Sequence, residues 1–297
     1  MLTPGNAILE TNPPRLAGHQ LDQQETRKLL GSIQIPPQPQ IVMALMTERN
    51  SDDPDIQKIS NLISNDAGIA AAVLKTVNSP FYGLNRKLTS VQQAVSALGM
   101  KNIGALVMGL ALRNSVPLAG MDEYWETTQL TSEFAVALAR QLGLRNIDEV
   151  QLYMLFHDSA MPLLLKRFPD YLDTMKSIPN TPWIQITDME DQRHNTNHVA
   201  VGGLLARSWG LPENIREAIH WHHDLSAFDT VTVSNEVRNL IAVGHVAEHV
   251  QEMTSRRLHE CTWEAFGESC LHQLMMGEAE LHDFCDSVQT HLEMGNR

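Results

Sequence analysis

An all-α fold is what this sequence predicts, and three observations predict it. Apolar residues recur at helical spacing, as in Ile56, Ile59, Leu62 and Ile63. Capping residues and glycine or proline stops bracket most of these stretches. No run alternates apolar and polar residues long enough for a strand, except a weak one at Thr230–Val233.

With 297 residues, 43% of them apolar, the chain can bury a sizeable core. The expected organisation is one domain in two lobes. Residues 1–19, with Pro13-Pro14 and Gly18, form a poorly ordered tail; residues 20–120 form a first helical lobe; residues 121–297 form a second, with a C-terminal helical extension.

Ile35-Pro36-Pro37-Gln38-Pro39 is a stiff extended connector, since successive prolines fix φ and remove donors. The helix after it carries Ile41, Met43, Leu45 and Met46, an apolar face assigned to the core. Asp53 before Pro54 reads as an N-cap with proline at the first helical position. In Asn78-Ser79-Pro80-Phe81-Tyr82-Gly83, Asn78 and Ser79 end a helix, Pro80 forbids its continuation, and Gly83 allows a reversal anchored by the two aromatics. Ser90-Val91-Gln92-Gln93 is a capping box, and Gly99 is the expected left-handed stop.

A long helix is expected from Asp122 to Leu142, before Gly143, and another from Asp148 towards His157. Leu152 to Phe156 is apolar on every side and belongs at the centre of the fold, with Pro162 kinking or restarting the helix. Beyond a looser stretch from Ser177 to Pro182, helices resume at Trp183, Asn197, Pro212, Ser234, Thr262 and Glu278. Trp125, Trp209 and Trp221 are expected core anchors.

A formal charge of −13 argues against nonspecific nucleic-acid binding, which draws its affinity from Lys and Arg on phosphates. Arg86-Lys87 and Arg256-Arg257 are too small to make a patch. The longest apolar run, Ile103 to Leu112, falls short of the roughly 20 residues of a membrane span. No secretory signal is visible, so a cytoplasmic location without membrane insertion is expected. Cys261, Cys270 and Cys285 have no C-x-x-C pairing and are expected as reduced, half-buried thiols.

Five side chains carry ligand chemistry: the doublet His157-Asp158, then His198, then His222-His223. Imidazole and carboxylate suit divalent transition metals, so a convergent set would take iron, manganese or zinc. Each also has a plainer role. His157 fits a core histidine bonded to a carbonyl, Asp158 a cap, and His222-His223 a helix C-terminus that favours a cation. His198 stands at a helix start, His220 is assigned to an exposed face, and His245 with His249 to a solvated stripe.

From about residue 30 to 225 the chain resembles the HDOD family, the output-domain relatives of HD-domain phosphohydrolases. The resemblance rests on Ile35-Pro36-Pro37, Asn65-Asp66, Asn78 to Gly83, Ser90…Ala94…Leu98-Gly99, Phe156-His157-Asp158 and Trp209-Gly210-Leu211-Pro212 leading to His222-His223. It implies an N-terminal helical lobe packed on a degenerate HD-like lobe. It also implies that a working hydrolase would hold metal with an early His, the His-Asp doublet and a late Asp; Thr127 falls at the first position and His245 at the last. Relatives that cleave cyclic di-GMP place further ligands where His198, His222 and His223 lie. Their lysine after the doublet is Met161 here, and Asp224 to Phe228 replaces their Gly-Tyr-Pro.

Phosphoester hydrolysis needs cations around the phosphate, and only Lys166, Arg167 and Arg193 lie near these segments. The expectation is therefore a non-catalytic signalling or regulatory module that binds a partner protein or a nucleotide and needs no cofactor. The alternative is a metal-dependent phosphohydrolase or cyclic-dinucleotide phosphodiesterase, carried by the five retained side chains.

Overall fold

The computed structural model describes residues 31–49, 51, 53–84, 86–255 and 260–295. The expected tail over residues 1–19, and the Arg256-Arg257 pair, lie outside the described residues. The helices are α1 (Gln40–Arg49), α2 (Ile56–Ser64), α3 (Ala67–Val77), α4 (Val91–Ser115), α5 (Asp122–Gln141), α6 (Ile147–Phe156), α7 (Met161–Arg167) and α8 (Tyr171–Ser177). They are followed by α9 (Ile186–His194), α10 (His198–Ser208), α11 (Glu213–Trp221), α12 (Asn235–Ser255), α13 (Glu260–Leu274) and α14 (Glu278–Gly295). Among the described residues there is no strand, and Thr230–Val233 is turn, held by Val233 N–H donating to Thr230 O at 3.1 Å.

Two corners of the sequence reading need correction. The cap of α2 is Asp55, whose carboxylate accepts from Lys58 N–H at 2.9 Å; Asp53 lies before the helix. Gly99 does not stop its helix: at φ 79° and ψ 163°, open to glycine alone, it kinks the chain, which resumes and runs to Ser115. The N-caps at Asp66, Ser90 and Asn197 each accept an N–H two or three residues into their helix. Asn78 closes α3 and clips the following loop, donating to Leu74 O and Leu88 O and accepting from Leu88 N–H. Gly83 is left-handed at φ 63°, and Phe81 and Tyr82 are buried beside it.

Two cores meet at α4. Ile59, Ile63, Val73 and Val77 pack against Val95, Leu106 and Val107 in the first, while Met108, Ala111 and Leu112 enter the second with Phe134, Leu152 and Phe156. This explains α4's composition. It is the one described helix long and apolar enough by length and composition to cross a membrane, a longer window than Ile103–Leu112 alone suggests, and 56% of that window is buried inside the protein. Trp125 and Trp209 are buried anchors, and Trp221 is half-buried. On α1, Leu45 is buried and Met43 is exposed, so the Met-rich face is only partly core. Cys270 and Cys285 are free and buried rather than half-buried, and the side chain of Cys261 lies outside the described residues.

The connector before α1 is strapped to the second lobe: Trp209 Nε1–H donates to Pro36 O at 2.9 Å and Gln38 Nε2 to Trp209 O at 2.9 Å. Phe156, the last residue of α6, packs edge-on against the same indole. The turn that follows it is thereby fixed deep in the second core.

Candidate metal centre

That turn carries the doublet. His157 caps α6, its ring Nδ1–H donating to Met154 O at 3.0 Å, and Asp158 follows in a tight turn that proline-bearing α7 restarts at Met161. Tyr124 of α5 donates its hydroxyl to Asp158 O at 2.7 Å and pins the turn. His198 opens α10 directly after its Asn197 cap. His222 and His223 end α11, where Trp183 Nε1–H and His245 Nε2–H both donate to His222 O, at 3.4 and 2.9 Å.

All five predicted side chains converge. Asp158, His198, His222 and His223 each offer one ligand atom, all within 4.8 Å of one another. His198 Nε2 lies 3.2 Å from His222 Nε2, 3.0 Å from His223 Nε2 and 3.4 Å from Asp158 Oδ1; His222 Nε2 lies 3.5 Å from the same oxygen. An ion holding nitrogen at 2.0–2.1 Å in a tetrahedron sets its ligands about 3.4 Å apart.

The tautomers fit an ion as well. His198 Nδ1–H donates to Glu190 Oε2 at 2.6 Å, and His222 Nδ1–H to Ile219 O at 2.8 Å. Each ring therefore turns its Nε2 inwards. One proton on His198 Nε2 can serve one imidazole neighbour and not both, and the buried Asp158 Oδ1 has no hydrogen-bond partner. A cation held among them would satisfy all four side chains together. Burial drives the pKa of His222 down to about 4 and that of His223 well below the ordinary range, which keeps both neutral, the form that ligates. Burial also opposes charge on His198, but the Glu190 and Asp158 carboxylates outweigh it and hold its pKa up.

Glu248 of α12 is the site residue the sequence reading missed. Its Oε1 lies 2.9 Å from His157 Nε2, and with His157 and Asp158 it makes a second donor group that shares Asp158 with the first. It stands one helical turn beyond His245, whose Nδ1 meets Glu248 Oε2 at 3.4 Å. His245 is buried, and half-buried His249 stacks on Trp263 at 4.0 Å, so the pair is no solvated stripe. Burial opposes charge on His157, yet Asp158 and Glu248 raise its pKa well above the ordinary value.

A cleft of about 510 Å³ opens on this second group, lined by Thr127, Asp158, Glu248 and apolar side chains including Met154, Met161 and Met175. Thr127, assigned to the early ligand position, lines the same cleft as the doublet. Lys166, Arg167 and Arg193 do not line the cleft, and Lys176 is the one lysine or arginine that does. His220 is exposed, as expected.

A family model for the HDOD domain matches residues 35–225. Solved structures share the fold at low identity. An HDOD domain protein of unknown function from Geobacter sulfurreducens gives a TM-score of 0.62 at 19% identity, covering 89% of this chain and 96% of its own. A Shewanella amazonensis protein provisionally called a phosphohydrolase gives 0.65 at 20% identity, covering 90% and 97%. An uncharacterised protein of Treponema pallidum is 26% identical over 211 residues, 68% of this chain and 41% of its own length, so the chain spans less than half of that curated relative.

Proposed function

The chain belongs to the HDOD family, and from that premise we propose that it is a non-catalytic regulatory module built around one closed ion cage. Asp158, His198, His222 and His223 would hold the ion, which would supply a cross-link between the turn after α6, the start of α10 and the end of α11. One observation carries this reading: four protein donors, one carboxylate and three imidazoles, bring their ligand atoms within 4.8 Å of one another, as many as a tetrahedral site takes. Structural metal sites are closed in this way, whereas catalytic ones keep a position for water. The cleft beside it offers a developing phosphate charge a single amine, Lys176. The module's output is then a binding event, with a partner protein or a nucleotide.

A phosphohydrolase is favoured by one feature, the second group of His157, Asp158 and Glu248 facing the cleft. There an ion would supply a bound water of lowered pKa. Against it, His157 Nε2 is already engaged by both carboxylates, at 2.9 and 3.3 Å. Metal analysis of the purified chain, followed by phosphodiesterase assays with cyclic di-GMP and manganese or iron, separates the two. One ion per chain without turnover is expected. Two ions with turnover would overturn the proposal.

A further inference from the structure

Three cations line one groove of the first lobe. Lys75 of α3, Arg86 and Lys87 border a space of about 670 Å³ between the end of α3 and the segment leading into α4, and no aspartate or glutamate lines it. The sequence shows only the Arg86-Lys87 pair; folding brings Lys75 to it. A lysine in the last turn of a helix answers the helix dipole, which accounts for Lys75 alone. Arg86 and Lys87 lie beyond that helix, and among the described residues no ion pair joins any of the three to an acid. In a chain of net charge −13, three cations gathered without a carboxylate complement an anion from outside it.

The walls of the groove are tied together. Asn78 donates to Leu74 O and Leu88 O and accepts from Leu88 N–H, which fixes the loop against α3. Leu74, Leu84 and Leu88 supply the apolar part of the lining, Leu88 buried and the other two half-buried. Exposed ion pairs are each worth little, so a bound anion also needs this apolar surface. A nucleotide draws its base affinity from aromatic stacking, and no aromatic side chain lines the groove. An anionic membrane takes up apolar side chains that stand out from the surface, and these leucines are recessed. An acidic peptide with an apolar side chain between its carboxylates meets both halves of the lining.

We propose that this groove docks an acidic segment of a partner protein, its carboxylates against Lys75, Arg86 and Lys87 and an apolar side chain over Leu74, Leu84 and Leu88. The inference rests on the regulatory reading and names the partner's chemistry. No residue of the groove belongs to the ion cage, so the two can fail separately.

The test is fluorescence anisotropy of the full chain with a labelled short peptide in which glutamates flank leucines. It is run at about 0.1 M and about 1 M salt, where the screening length falls from roughly 10 to 3 Å. Saturable binding is expected at the lower salt. It should weaken about tenfold or more at the higher salt, with glutamine in place of the peptide's glutamates, and in a Lys75→Glu, Lys87→Glu double variant. Lys75→Arg with Arg86→Lys keeps the charges and should keep the affinity. These positions are exposed, so melting and ion content should stay those of the wild type; Arg86→Glu alone repeats the test where the double variant melts early. No saturable binding, or binding that the charge reversals leave unchanged, overturns the inference. Charge-dependent binding of ATP or of phosphatidylglycerol vesicles tighter than that of the peptide overturns it too. So does a salt-sensitive dimer lost in the double variant, which would put a second copy in the groove. Two ions with turnover would sink the one-ion cage, and charge-dependent peptide binding beside them would still support the groove.

Discussion

Glu190 does for His198 what a backbone carbonyl does for His222: it takes the Nδ1 proton and aims Nε2 at Asp158. It is buried, and it also accepts from the His198 backbone N–H and the Tyr171 hydroxyl, so its position is fixed from three sides. Glu190→Gln is expected to weaken metal binding about 10–100-fold, the usual cost of losing an outer-shell partner. Competition against a chromophoric chelator measures this, and unchanged affinity would show that Glu190 does not orient the ring. Asp158→Asn should lower the ion count below one per chain, because it removes the sole anionic donor of the four. The five candidate ligands were legible in the sequence because imidazole and carboxylate recur there at the positions the HDOD resemblance marks, although each alone also fits a plainer role. Glu190 and Glu248 were not: surface and buried glutamates on polar helices read alike, and only the packing of α9 and α12 distinguishes them.

At the scale of the element, the helices were legible wherever a side chain signals its own backbone, as Ser90, Asn197 and Gly143 do. Where two candidates stood close together the signal failed. Asp53 and Asp55 both precede Ile56, and the choice falls to Asp55 because its N–H is held by Glu48 Oε2 at 3.1 Å, a contact from the preceding helix. Gly99 carried a correct signal for positive φ and a wrong conclusion, since the chain can kink there and continue. Gly99→Ala is expected to cost about 1–3 kcal/mol in urea unfolding, the penalty of a side chain in a glycine-only region. Gly244 makes a different demand. A Cβ there would sit 2.9 Å from Tyr153 Cε1 and 3.2 Å from Met154 Sδ, so α12 touches α6 through a bare backbone. Gly244→Ala should destabilise the fold by about 1–3 kcal/mol through overpacking. It should also move Glu248 away from His157, which the imidazole resonance of His157 would report in NMR.

For the whole molecule the question is what residues 226–297 do, since the family match ends at 225. Composition could not answer it, because a docking surface and a core helix are both amphipathic. Packing does answer it. Val237, Ile241, Val243, Val246 and Val250 of α12, Phe266 of α13 and Val288 of α14 are each 1% exposed or less, in the same core as Phe134 and Phe156. Fully burying one such side chain is worth about 1.5–3 kcal/mol. Removing seven forfeits about 10–20 kcal/mol, as much as the typical net stability of a domain, about 5–15 kcal/mol. A fragment of residues 31–225 is therefore expected to lose its cooperative melting transition and to bind a hydrophobic dye, although it contains every family motif. The full chain should melt sharply, and several degrees lower after chelation, because an ion at 100 times its Kd adds about 2.7 kcal/mol to the folded state. Scanning calorimetry of three samples decides it: full chain, chelated full chain and fragment. A sharp transition in the fragment would make the C-terminal helices an appendage to the core. Its absence makes them the wall that carries Glu248 and His245 to the doublet.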